Sequence, residues 1–194
     1  MSESDEVESS TNDCDNDYDN EITGVSSEKA NDRLIEKINL ILLSIIGENK
    51  YLKNYKEETA KQKKMIFYSS NIPTISIKDY LYRIQSLSEV EDNTLILALI
   101  YIDKIYEKTS IILTEFNIHR ILFTSILIAI KYNEDIFYEN NFYAKIAGVT
   151  DKELRKMEIK FLRLIKFELY ANKSLFEKYK NYICKNKTIK KMVK

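Results

Sequence analysis

The chain has 194 residues, of which 44% are hydrophobic and 31% charged, and it holds only three glycines and one proline, too few turn formers for a many-stranded fold. That length suits one domain and a second full one is not expected, and no apolar run reaches the roughly 20 residues of a bilayer-spanning helix. The formal charge of zero conceals a division: residues 1–29 carry ten acidic side chains and one basic one, which leaves 20 acidic and 29 basic residues for 30–194, a net of +9. An acidic partner such as nucleic acid and plain solvated helix faces both account for that surplus, and the solvated faces are the simpler account. Cys14 and Cys184 lie near opposite ends and Met1 opens no signal peptide, so an intracellular, reducing location, nuclear or cytoplasmic, is expected, with no membrane partner.

Residues 1–29 are expected to be a disordered acidic tail, because Ser, Asp, Asn and Glu bury too little apolar surface to offset ordering. Residues 30–64 hold an N-terminal helix and a polar, Lys-rich linker. Leu34, Ile35, Ile38, Ile41, Leu42, Ile45 and Ile46 recur at helical spacing, with Gly47 as a break. Pro73 precedes a helix over Ile75–Leu87, for which Thr74 and Ser76 are candidate caps. Ser88 with Glu91, and Thr150 with Glu153, have capping-box spacing, which predicts helix starts near Glu89 and Asp151. The first runs to about Lys108. A segment from Phe116 to Tyr132 is apolar on nearly every face and must be central. A short helix over Asn141–Ala147 stops at Gly148. Next comes an amphipathic helix from Thr150 to Leu169, then a segment from Ser174 to Cys184, and residues 185–194 form a basic tail. The chain reads as all-α.

Glu158 is the oddity of the Thr150–Leu169 helix, since it falls among Leu154, Met157, Phe161, Leu162 and Ile165. A carboxylate there needs a cation within reach or a partner that covers it. Lys131, one turn after Leu127 and Ile128, is the expected partner. Asp103 beside Ile102 is read as a structural pair with Arg83. His119, the only histidine, lies in an apolar helix and is expected to be a satisfied core residue. No Gly-rich phosphate loop, metal-ligand cluster or nucleophile with a nearby base can be assembled, so no catalytic residue, metal or cofactor is expected and the chain is not read as an enzyme.

Four strings in order, PTISIKDYLYRI (73–84), YIDKI (101–105), AIKYNED (129–135) and MEIKFLRLIKFEL (157–169), together resemble the cyclin box. The first looks like that of single-box P-type (P/U-type) cyclins related to the yeast phosphate-response cyclin. The resemblance covers about 66–184. It implies a cyclin box of five helices with an N-terminal and a C-terminal flanking helix, the box and C-terminal helix occupying residues 65–184. It also implies a regulatory subunit that binds and allosterically activates a cyclin-dependent protein kinase, as in control of the cell cycle. By the resemblance, Lys131 and Glu158 stand where cyclins pair a Lys and a Glu against the kinase, and Tyr132, Leu162, Phe167 and Leu169 match positions that pack on it. Glu134 matches one of two acids after the aromatic; the other is Asn133 here. The first box helix lacks the Met-Arg-Ala-Ile-Leu type docking element. The alternative is a nucleic-acid-binding cyclin fold of the general transcription factor type, but those carry tandem repeats and no internal duplication is visible.

Overall fold

A computed structural model describes residues 25–185, and among these it contains eight helices and no strand. They are α1 (Val25–Asn49), α2 (Tyr55–Gln62), α3 (Ile77–Ser88), α4 (Asp92–Lys108), α5 (Ile118–Asn133), α6 (Asn140–Ala147), α7 (Asp151–Leu164) and α8 (Lys173–Lys185). Helices α3 to α7 form the five-helix box, α1 flanks it on the N-terminal side and α8 on the C-terminal side.

The centre is α5, whose residues from Ile121 to Ile130 are all buried. A helix apolar on every face can be stable in water only when others enclose it. Helix α4 packs along it most extensively, and α7, α3 and α6 cover other sides. The hydroxyls inside α5 are satisfied locally: Thr124 Oγ1 donates to the Arg120 carbonyl and Ser125 Oγ to that of Leu122, both at 2.7 Å. Helix α1 lies across α3 and α8 through Ile35, Ile38, Ile41, Leu42 and Ile46, and α8 returns onto α4 with Tyr179 and Ile183.

Local chemistry sets most boundaries. Ser76 caps α3, its Oγ accepting from the Asp79 N–H at 3.0 Å, and Thr150 Oγ1 caps α7 by accepting from Glu153 N–H at 3.2 Å. Gly148 ends α6 in the left-handed region at φ 71°, where a Cβ would be strained.

Other expectations are corrected. Gly47 lies inside α1, because buried Ile46 and Asn49 carry the helix past it; Asn49 Nδ2 donates to the Leu113 carbonyl at 2.9 Å. Helix α1 also begins at Val25, within the segment read as disordered, since a helix once nucleated extends into neighbouring residues cheaply. Residues 1–24 and the basic tail 186–194 lie outside the described residues. Ser88 does not start α4. It ends α3, its Oγ donating to the Ile84 carbonyl at 2.7 Å, while Glu89 takes a left-handed C-cap at φ 51° and Glu91 becomes the N-cap of α4. Of the Lys-rich linker, Tyr55–Gln62 is helical, with Glu58 and Gln62 buried.

Candidate functional site

Lys131 lies in the last turn of α5, and Glu158 sits at the middle of α7. Because α7 packs against α5, the two meet: Lys131 Nζ donates to Glu158 Oε1 at 2.6 Å, with side chains 24% and 16% exposed. A pair so placed is shielded from solvent yet reachable from outside. Asn140, the first residue of α6, joins it. Its Oδ1 accepts from Lys131 Nζ at 2.6 Å and its Nδ2 donates to Glu158 Oε2 at 3.1 Å. Asn140 is absent from the sequence-based site, since only folding brings a residue nine positions from Lys131 and eighteen from Glu158 between the two. An Asn at a helix start reads in sequence as a boundary residue.

Around this triangle the other expected residues are placed as follows. Tyr132 follows Lys131 and is half exposed. Glu134 is partly exposed, and its Oε1 accepts from the Glu91 N–H at 3.2 Å, placing a negative charge at the start of α4. Leu162 is one turn from Glu158 and packs partly into the core, as does Leu169. The expected helix to Leu169 instead ends at Leu164, and Lys166 and Phe167 both adopt left-handed φ of 57° and 56°. Two adjacent non-glycine residues there cost on the order of 1 kcal/mol each. The conformation is held from outside the segment: Phe167 N–H donates to the Leu162 carbonyl at 2.8 Å, and Tyr101 Oη donates to that of Leu169 at 3.0 Å. Lys104 Nζ reaches the carbonyls of Glu168 and Tyr170 at 2.8 and 3.0 Å, and Lys108 pairs with Glu168 at 2.6 Å. Burial pushes the Lys104 ammonium below its ordinary pKa. This strap aims the Phe167 ring outward, 63% exposed.

The Arg83–Asp103 pair is not formed. Arg83 Nη2 donates to the Lys145 carbonyl at 3.1 Å and joins α3 to α6, while Asp103 is buried and accepts a hydrogen bond from Tyr179 Oη. A neutral donor from α8 reaches the carboxylate that the sequence paired with a cation on α3. Burial raises the Asp103 pKa to about 6, against the pull of the Tyr179 hydrogen bond. His119 donates from Nε2 to the Ile75 carbonyl at 2.9 Å beside the Tyr80 ring, its Nδ1 is buried without a hydrogen bond, and burial holds its pKa below the usual value. It is a packed, partly buried side chain, and the expectation of a fully satisfied core histidine is corrected at Nδ1. Among the described residues no group of three His, Cys, Asp or Glu is placed to hold a metal ion, and no helix is long and apolar enough to cross a membrane.

The arrangement combines a partly buried ion pair with exposed apolar side chains. A fixed ion pair lies beside half-exposed Tyr132, Ile159 on the same helix as Glu158 is half exposed, and Phe167 projects from the segment after it. The family model "Cyclin" matches residues 20–169, a longer stretch toward the N-terminus than the four strings span. Cyclin-U4-1 of Arabidopsis thaliana is 33% identical over 132 residues, covering 68% of this chain and 65% of that protein. Cyclin-P3-1 of Oryza sativa subsp. japonica is 31% identical over 158 residues, 80% of this chain and 66% of that protein. PHO85 cyclin-7 of Saccharomyces cerevisiae is 30% identical over 173 residues, 79% and 61%. The chain thus spans about two thirds of the length of these relatives. With the match over most of its length and the five-helix box in place, the chain belongs to the cyclin family and resembles its U- and P-type members.

Proposed function

We propose that this cyclin is the regulatory subunit of a cyclin-dependent protein kinase, without turnover of its own, and that residues 65–184 carry that role inside the cell. The observation that carries the reading is the partly buried Lys131–Glu158 pair, 2.6 Å long, where α5 meets α7 beside exposed aromatic side chains. PHO85 cyclin-7 is named as a cyclin of PHO85, which supports a kinase as the partner here.

In this reading Lys131 and Glu158 fix register on the kinase, while Tyr132, Leu162, Phe167 and Leu169 bury apolar surface and supply most of the affinity, as central anchors generally do. Glu134 belongs to the same surface and also holds the α5–α6 turn to α4. The chain activates its partner by binding the active kinase arrangement more tightly than the inactive one, so the equilibrium moves by that difference in affinity.

The test is affinity purification of the tagged full chain, with recovered kinases assayed with and without it. Wild type should raise kinase activity. Replacing Lys131 and Glu158 together by Ala should weaken binding tenfold or more, about the effect of losing a charge-assisted contact, with a melting temperature that still reports a folded domain. Undiminished binding and activation by that double variant would overturn the assignment.

A further inference from the structure

Lys131 and Glu158 do not meet as a bare pair. Asn140 is 9% exposed and closes a triangle in which each carboxylate oxygen of Glu158 has its own donor: Lys131 Nζ on Oε1 at 2.6 Å, and Asn140 Nδ2 on Oε2 at 3.1 Å. The third side is Lys131 Nζ to Asn140 Oδ1 at 2.6 Å. A carboxylate held at one oxygen can still rotate about its last bond; held at both, its plane is fixed. A primary amide supplies the donor and the acceptor from two separate atoms of one short side chain, so it can reach both partners at once while leaving the charge of the site unchanged. Asp in its place would offer acceptors alone and Leu neither.

The same contact also closes a loop. Lys131 stands in the last turn of α5 and Asn140 opens α6, so their hydrogen bond ties together the two ends of a segment whose Ile136, Phe137 and Tyr138 are all exposed. Within it the Tyr138 N–H donates to Tyr143 Oη at 3.3 Å, and the Tyr138 ring packs on Phe142 at 4.2 Å between centroids. Three successive large apolar side chains are thus displayed on a segment anchored at its base to the ion pair.

We infer that Asn140 is a positioning residue of the kinase-binding surface: it orients Glu158 and Lys131 and sets the base of the 132–139 segment, so that ion pair and apolar segment meet the partner as one unit. The inference rests on the kinase-binding reading above.

The experiment uses the full chain and a purified cyclin-dependent kinase that the wild-type chain binds and activates. Asn140→Asp is nearly isosteric. It keeps an acceptor for Lys131, replaces the donor to Glu158 by a repelling carboxylate, and adds a negative charge at the start of α6, where such a charge favours the helix. The helix-terminal charge offsets only part of the lost bond and the repulsion, so the melting temperature should fall modestly with the domain still folded, while kinase affinity falls about tenfold, the size expected for losing a hydrogen bond to a charged group. Asn140→Ala should weaken binding similarly in the wild-type background and add nothing when Lys131→Met and Glu158→Gln are already present, because the side chain acts through those two residues. A residue that only supports the fold would lower affinity equally in both backgrounds, and that result overturns the inference. So does wild-type affinity in both Asn140 variants while the Lys131 and Glu158 variants lose binding. If the Lys131 and Glu158 variants themselves bind normally, the kinase-site reading fails, and this inference with it.

Discussion

At Asp103 two forces oppose each other: burial disfavours the charged carboxylate, and the Tyr179 hydroxyl favours it. Burial dominates, and the folded-state pKa of about 6 stands above the ordinary 3.8. A raised carboxylate pKa means that the folded state binds the proton more tightly than the unfolded one. The stabilisation from this group is therefore complete below about pH 4 and is lost as pH rises through about 6, an effect on the order of 3 kcal/mol at neutral pH. Asp103→Asn keeps an acceptor for Tyr179 and has no charge to bury, so it should be more stable than wild type at pH 7.5, with a smaller difference at pH 4.5. Urea unfolding at both pH values measures this, and a variant less stable at both would refute it. The residue also marks where sequence reading stopped. Asp103 was recognisable as a charge in an apolar helix, but its partner was not, because a cation one helix earlier is a nearer guess in sequence than a tyrosine seventy-six positions away. Glu158 and Lys131 were legible as an expected pair because each is a charge stranded in an apolar pattern. Asn140 breaks no pattern and so gave no signal.

Among the elements, the boundaries that sequence predicted well are those with a side-chain cap or a glycine stop, at Ser76, Thr150 and Gly148. Two of those it missed depend on tertiary contacts, the continuation of α1 through Gly47 and the early end of α7 at Leu164, whereas the start of α4 was misplaced for a local reason, Ser88 bonding back to Ile84 to end α3. The turn after α7 has a testable property, because its backbone strain and its exposed aromatic sit on one residue. Phe167→Gly removes the penalty of left-handed φ and deletes a side chain that is mostly exposed and contributes little to the core. The variant should be as stable as wild type or up to about 1 kcal/mol more stable, yet bind the kinase more weakly. Thermal melts with binding titrations check both signs. Reduced stability together with unchanged binding would show that Phe167 serves the fold and not the partner.

For the molecule as a whole, the enclosure of α5 means that Lys131, the cation of the ion pair, is mounted on a helix whose interior turns are fully buried. Leu127 lies in that helix one turn before Lys131 and is 1% exposed. Leu127→Ala should destabilise the fold by about 2–5 kcal/mol, the usual range for emptying a buried leucine site. At temperatures where the variant remains folded, its kinase affinity should stay near that of wild type, measured by denaturant unfolding beside binding at 10 °C. A large loss of affinity in the folded variant would place Leu127 in the binding energetics directly. The all-helical class and the central position of α5 were both readable from composition and from an apolar run without polar interruption; the packing of α1 and α8 against the box was not, since amphipathic faces do not name their partners.

The segment after α7 is gripped by Tyr101 and Lys104 through main-chain carbonyls, a feature every amino acid carries. The grip itself therefore does not require particular outward side chains at 167 and 170, although the left-handed backbone at 167 favours glycine there. Under the proposed function, a lineage could change which kinase it prefers by altering these few exposed residues, while the interior that folds the domain stays as it was.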